Sequence, residues 1–119
     1  MKQPNLTTIT EMATLTGLSK KRVRTFLQHI GHGVQPIGMI GRTGVFTPNV
    51  RELVVFAMRY HTAHEASLCG HRGFTDAQLK ELKTRCLERM VLVYLEQGWT
   101  PDGPLELPAR RMAALANAN

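Results

Sequence analysis

The sequence has few cysteines and no long apolar segment, which argues against a disulfide-stabilised protein and against a membrane-spanning one. Two cysteines among 119 residues cannot form a disulfide framework, so we expect free thiols in a reducing compartment. The longest apolar runs, LVVFAM (53–58) and MVLVYL (90–95), are too short to cross a bilayer. The opening residues MKQPNLTTIT lack the apolar core of a signal peptide. We therefore expect a cytoplasmic protein with no membrane partner.

The sequence also lacks the residue patterns that most catalytic sites need. It has no glycine-rich phosphate loop followed by Lys and Ser or Thr, and no paired carboxylates in an apolar setting. Cys69 lies near His71, but no partner that would orient a Cys–His nucleophile is evident. We therefore predict that the protein is not an enzyme, has no catalytic residues and needs no cofactor.

Acidic residues are nearly missing from the first half of the chain. Residues 1–50 contain six Lys and Arg but one acid, Glu11, which gives this half a net charge of +5. Residues 51–119 contain nine Lys and Arg and eight Asp and Glu, and so carry +1 of the total of +6. This asymmetry is typical of a polyanion-binding N-terminal half joined to a charge-balanced remainder.

Two helices are predicted in the basic half. The first is capped by Thr8 or Thr10 and ends at Gly17, and Ser19 caps a second helix over about Lys20–Ile30. The buried face of the first helix is expected to consist of Ile9, Met12, Ala13 and Leu15.

A hairpin and two further helices are predicted after it. The glycine-bounded stretch GRTG (41–44) lies between two short strand-like segments, VQPIGMI and VFT. A third helix opens at Pro48 or Asn49, and a long amphipathic helix capped by Thr75 covers about Asp76–Gln97. The chain is thus predicted to be mainly α with a small β-hairpin.

Residues 9–28, ITEMATLTGLSKKRVRTFLQ, resemble the helix-turn-helix DNA-binding pattern. The small, turn and buried positions of that pattern are matched by Ala13, Gly17, Leu18, Val23 and Phe26. Thr16 departs from the pattern, which has an apolar residue at this position, and apolar Leu15 lies beside it. The order of helix, glycine turn, basic helix, hairpin and helix is that of a winged helix-turn-helix.

A helical wheel places Lys21, Thr25 and Gln28 almost opposite Val23, with Arg24 and Arg22 on the two flanks, so the charged cluster covers the solvent face of the second helix. Like charges at this spacing repel, and phosphate would relieve that repulsion. We predict that DNA bases are contacted by Lys21, Arg24, Thr25 and Gln28. We predict that phosphates are contacted by Ser19, Lys20 and Arg22, and at the hairpin tip by Arg42 and Thr43.

Residues 7–60 resemble the MerR-like, phage-excisionase and small-terminase group of winged helix-turn-helix domains. In that group the wing is followed at once by a helix like PNVRELVVFAMRYH (48–61). The resemblance implies binding to double-stranded DNA. In MerR-type regulators, a C-terminal helix pairs the subunits through an antiparallel coiled coil.

The sequence is predicted to have four parts. These are a winged helix-turn-helix domain (1–62), a connector (63–74), an amphipathic, dimerising helix (75–97) and a proline-containing tail (98–119). The dimerisation residues are expected to be Leu79, Leu82, Cys86, Met90, Val93 and Tyr94. The alternative is that this helix folds back onto the core of its own domain.

These features predict a sequence-specific, nucleoid-associated DNA-binding protein. The first hypothesis is a small homodimeric transcriptional regulator, a repressor, that reads a palindrome or inverted repeat. The second is an architectural or packaging protein of the excisionase or small-terminase kind. The third is a protein-binding adaptor on a winged-helix scaffold.

A cluster with spacing H-x2-H-x4-C-x-H contains His61, His64, Cys69 and His71. Imidazole and thiolate are ligands for zinc or copper, so a four-ligand site is chemically possible. The spacing matches no common zinc module, and histidines also serve as ordinary surface or capping residues. We predict no metal site.

Overall fold

The computed structural model of the chain describes residues 5–68, 70 and 74–100, and of Ser67 the backbone alone. Its elements are α1 (Ile9–Thr16), α2 (Lys20–His29), β1 (Gly38–Ile40), β2 (Thr43–Val45), α3 (Pro48–Leu68) and α4 (Asp76–Gln97). The predicted class, mainly α with a small antiparallel hairpin, is confirmed.

Side-chain caps set the starts of the first two helices. Of the two caps predicted for α1, Thr8 is used: its Oγ1 accepts a hydrogen bond from the Glu11 N–H at 3.1 Å. The Ser19 Oγ accepts from the Arg22 N–H at 3.2 Å and caps α2. Gly17 ends α1 in the left-handed conformation, and three residues separate the two helices.

Leu15 was expected on the buried face of α1, but its side chain is 60% exposed. The neighbouring Thr16 turns inward instead, and its hydroxyl donates to the Met12 carbonyl oxygen at 2.8 Å. That bond satisfies the polar atom of the residue that departs from the helix-turn-helix pattern.

The hairpin turn is shorter than predicted. Gly38 pairs with Val45, Met39 with Gly44 and Ile40 with Thr43, which leaves only Gly41 and Arg42 outside the ladder. Gly41 has φ +63°, a conformation that glycine adopts without strain and that two-residue hairpin turns require. Thr43 and Gly44, predicted as part of the turn, therefore belong to β2.

A bridge between Thr7 and Phe46 joins the segment before α1 to the end of the hairpin. The Thr7 N–H donates to the Phe46 carbonyl at 2.9 Å, and the Phe46 N–H donates to the Thr7 carbonyl at 2.7 Å. The start of α1 and the hairpin are therefore neighbours, although about 30 residues separate them in sequence.

Helix α3 extends beyond the predicted domain boundary at residue 62. Residues 63–68, assigned above to a connector, form its last turns, and Ala63 is fully buried. The segment from His61 to Leu68 contains no glycine or proline and includes the strong helix formers Ala, Glu and Leu. The local sequence therefore favours continuation of the helix.

Helix α4 spans the predicted range and begins with a capping box. The Thr75 Oγ1 accepts from the Gln78 N–H at 3.1 Å, and the Gln78 Oε1 accepts from the Thr75 N–H at 2.8 Å. The helix packs along α3 in the most extensive contact between elements of the described chain.

Helix α4 contributes to the core of its own chain. The buried cluster unites α1, α2, α3 and α4, and includes Met12, Val23, Phe26, Leu53, Val54, Cys86, Met90 and Val93. Three of the predicted dimerisation residues, Cys86, Met90 and Val93, thus have almost no surface to offer a second copy. For these three the structure matches the alternative stated above, a helix folded back on the core. Leu79, Leu82 and Tyr94 are half-buried.

No helix within the described ranges combines the length and the apolar character needed to span a membrane. Of the predicted tail, 98–119, the structure describes only residues 98–100, and the remainder lies outside the described residues.

Candidate nucleic-acid interface

Helix α2 presents one polar stripe to the outside. Lys20, Arg24 and Gln28 follow one another at four-residue spacing, so their side chains lie along one face of the helix, and all three are exposed. Another face of the helix is fixed in the core by Val23 and Phe26, both fully buried. Because the core anchors that face, the direction in which the polar stripe points is fixed as well.

A groove of about 500 Å³ opens between this stripe and the hairpin. We call it the α2–hairpin groove. Its polar wall is formed by Lys20, Arg24 and Gln28 on α2, Arg42 and Thr43 on the hairpin, and Thr8 and Thr10 at the start of α1. No aspartate or glutamate is among the described residues that line it. The groove therefore combines three cationic side chains from two separate elements.

The three cations of the groove are not neutralised by the surrounding described chain. Within the described ranges, no hydrogen bond or ion pair engages the side chain of Lys20, Arg24 or Arg42. Ion pairs occur elsewhere, on α3 and α4: Arg51 with Glu52 at 3.6 Å, and Arg85 with Glu81 at 3.2 Å. Unlike those arginines, the groove cations have no carboxylate from the described part of the chain that would compete with an anionic ligand.

Four of the predicted DNA contacts lie outside the groove lining: Ser19, Lys21, Arg22 and Thr25. The Ser19 hydroxyl is used as the α2 cap, and the Thr25 hydroxyl donates to the Lys21 carbonyl oxygen at 2.8 Å. Lys21 is exposed and Arg22 is half-buried. The groove thus brings together five predicted site residues: Lys20, Arg24, Gln28, Arg42 and Thr43.

The groove is also lined by four residues that were not predicted as part of this site: Thr8, Thr10, Gln35 and Met39. The start of α1 reaches the groove because of the Thr7–Phe46 bridge, a long-range pairing without a local sequence signal. Met39 could have been found from strand alternation, because it stands opposite Gly44 on one face of the hairpin.

Comparison of the chain with protein-family models, with curated proteins and with solved structures finds no match. What the site can do therefore follows from its own residues.

The chemistry of the groove suits an extended anion. Lysine and arginine side chains neutralise phosphates, and the arginine fork also matches the two acceptors of a guanine edge. The Gln28 amide carries a donor and an acceptor, which is the complement of an adenine edge. These groups, along one wall of the groove and at the hairpin tip on the other side, can contact the surface of an extended polyanion.

Of the histidine and cysteine cluster, the structure describes two members. His61 and His64 lie on α3, and the His64 ring stacks on the Tyr60 ring with 5.7 Å between centroids. Cys69 and His71 lie outside the described residues. Among the residues that the structure does describe, no group of three or more metal-ligating side chains comes together.

Proposed function

We propose that the protein binds double-stranded DNA in a sequence-specific manner, as a winged helix-turn-helix. In this proposal α2 is the helix that enters the major groove, and the β1–β2 hairpin is the wing. The observation that carries it is the α2–hairpin groove: cations from both elements, Lys20 and Arg24 on one side and Arg42 on the other, surround a space whose described lining has no acid.

The roles of the side chains follow from their chemistry and place. Arg24 and Gln28, along the exposed stripe of α2, contact base edges, since their donors and acceptors can distinguish guanine from adenine. Lys20, near the positive end of α2, and Arg42, at the hairpin turn, contact phosphates of the flanking backbone. Each neutralised phosphate releases counterions, and this release drives much of the binding.

Within DNA binding, the first candidate is a small transcriptional repressor that blocks a promoter as a homodimer on a palindromic site. Such a dimer would present two copies of α2 about one helical turn of DNA apart. The half-buried Leu79 and Leu82, in the first turns of α4, remain available for subunit contact.

A second candidate is an architectural or packaging protein that marks or bends a site. The burial of Cys86, Met90 and Val93 favours it, because this burial removes three of the six residues expected to pair two subunits. Proteins of this kind can act on directly repeated sites, which need no two-fold symmetry in the protein.

Selection of bound duplexes from a random DNA pool tests the proposal. The full chain is expected to enrich one short motif, and the symmetry of that motif separates the candidates. An inverted repeat supports the homodimeric regulator, whereas direct repeats support the architectural role. A pool that stays unenriched after several rounds at moderate salt would contradict sequence-specific DNA binding.

A further inference from the structure

The last turn of α4 is tied to the chain segment that leads into the hairpin. The Gln97 side-chain amide makes two hydrogen bonds with the backbone of Gln35, which precedes β1. Its Oε1 accepts from the Gln35 N–H at 3.0 Å, and its Nε2 donates to the Gln35 carbonyl at 3.0 Å. A primary amide thus pairs with one residue's N–H and C=O as a neighbouring strand would, and fixes both the distance and the orientation of that residue.

The adjacent residue of α4 holds the other stem of the hairpin. Thr47 follows the end of β2 closely, and its hydroxyl donates to the Glu96 Oε1 at 2.7 Å. Hydrogen bonds to a carboxylate are shorter and stronger than those between neutral groups. Two consecutive residues of one helix, Glu96 and Gln97, therefore contact both stems of the same hairpin.

Trp99, two residues after the end of α4, contacts the segment that follows α2. Trp99 meets Tyr94 edge-to-face with 5.2 Å between ring centroids, and His32 in the same manner at 6.2 Å. A Cβ on Gly31 would lie 2.9 Å from the Trp99 ring, and the φ of +53° at Gly31 also favours glycine. The C-terminal end of α4 is thus packed against the segment that connects α2 to the hairpin.

The hairpin depends on such contacts for its position. Its strands have three residues each, and a two-stranded hairpin of this length is not stable alone in water. Met39 and Ile40 are 60% and 69% exposed, so β1 gains little from burial. The β2 side has a further anchor in the Thr7–Phe46 bridge. The β1 side, which Gln97 tethers through Gln35, is the one that depends more on α4.

We propose that Gln97 and Glu96 are positioning residues that set the hairpin at the distance from α2 that the groove requires to hold DNA. The inference rests on the proposed function, since it names the residues that shape the same groove. Neither residue needs to contact DNA, because they act through Gln35 and Thr47. Gln35 itself lines the groove, so its displacement changes the groove directly.

Backbone ¹⁵N relaxation of the full chain tests the positioning without DNA. In Gln97→Ala, we expect the amides of β1 and of the turn at residues 41–42 to fall from an order parameter of about 0.85 to about 0.6 or less, with α2 unchanged. Gln78→Ala is the matched control. It removes a glutamine that also bonds to backbone, but at the opposite end of α4, and it should leave the hairpin amides unaltered.

Affinity for a selected duplex is the second readout. If the hairpin of Gln97→Ala occupies the groove-forming position for about a tenth to a third of the time, the apparent Kd rises roughly three- to tenfold. Glu96→Ala should act in the same direction. Glu96→Gln keeps an oxygen that accepts from the Thr47 hydroxyl and should restore most of the lost affinity, which a loss of negative charge alone would not explain.

Unchanged hairpin order in both alanine variants would overturn the inference, and so would a loosened hairpin with unchanged DNA affinity. If Gln97→Ala does not fold, Glu96→Ala serves alone, with Glu88→Ala at an exposed site of the same helix as its control. A wild-type chain that binds no duplex would contradict the proposed function instead, and the relaxation data would still decide whether α4 positions the hairpin.

Discussion

At the scale of single residues, the proposed DNA binding depends most on the Arg24 side chain. It is exposed, lines the α2–hairpin groove and has no hydrogen-bond or ion-pair partner within the described ranges. Arg24→Ala should cost about 1–3 kcal/mol of binding free energy and relax the preference at one base pair of the site. Selection from a random pool with each protein measures both effects.

Arg85→Ala is the control for this substitution. Arg85 is an exposed arginine of α4 that pairs with Glu81 at 3.2 Å, away from the groove. Its removal should leave the selected motif intact and the affinity nearly unchanged. Identical motifs from the wild type and Arg24→Ala would contradict the assignment of Arg24 to a base edge.

Cys86 is a second residue with a measurable chemical consequence. Its side chain is fully buried, and desolvation by burial raises the pKa of the thiol to about 12 from an ordinary value of 9.0. A raised pKa holds the thiol protonated, and the thiolate is the reactive form. In a Cys69→Ser background, Cys86 should therefore resist a thiol reagent at pH 8 and react fully only after denaturation.

The sign of the pH effect follows from the same pKa. The Cys86 thiol holds its proton more tightly in the folded state than in the unfolded chain. Below about pH 9 both states keep the proton, so Cys86 does not make the free energy of unfolding depend on pH. Above about pH 9 the unfolded chain loses the proton first, so the free energy of unfolding falls as the pH rises toward 12. Rapid labelling of native Cys69→Ser protein at pH 8 would show that the thiol is accessible and would contradict the burial.

At the scale of elements, the packing of α4 on its own chain predicts a contrast between two of its residues. Met90 is 3% exposed within the core, whereas Leu95 is 70% exposed on the same helix. Met90→Ala should lower the free energy of unfolding by about 2–5 kcal/mol, and Leu95→Ala by about 0.5 kcal/mol or less. Urea denaturation measures both.

Unfolding measured at several protein concentrations distinguishes an α4 that packs on its own core from an α4 that pairs two subunits. If Met90 is buried by its own chain, the loss in Met90→Ala does not vary with protein concentration. A loss that shrinks as the protein is concentrated would show instead that a second copy covers this position.

Local signals predicted the helix starts well. The caps Thr8, Ser19 and Thr75 are each followed by helical residues, and the hydrogen bonds that make them caps lie within three residues of sequence. The hairpin was found from its glycines, although its turn is tighter than predicted. Only interactions close in sequence are needed to predict these features.

The features that could not be predicted from the sequence depend on contacts between residues that are far apart in the chain. The periodicity of α4 identifies an apolar face with Cys86, Met90 and Val93 but does not say whether that face meets the chain's own core or a partner. The helical wheel of α2 identified its solvent-facing side chains, but only the position of the hairpin shows that Lys20, Arg24 and Gln28 are the ones that line the groove. Nothing local in the sequence pairs Gln97 with Gln35, 62 residues away.

At the scale of the whole molecule, the positive charge is concentrated in the half of the chain that forms the groove. The first 50 residues carry +5 of the total +6, and they contain α1, α2 and the hairpin, the elements that line the groove. The charge-balanced second half supplies α3 and α4, which complete the core and, through Glu96 and Gln97, contact the hairpin stems. One half is thus suited to bind the anion, and the other supports the binding surface.

The salt dependence of duplex binding tests the central claim most directly. For the wild type, log K should fall linearly with log salt concentration. In a double variant, Lys20→Ala with Arg42→Ala, the slope should be shallower by about 2, because two phosphate contacts are lost. Lys80→Ala with Lys83→Ala, two exposed lysines of α4, should leave the slope unchanged. Equal slopes for all three proteins, or no duplex binding at low salt, would contradict the α2–hairpin groove as a DNA-binding surface.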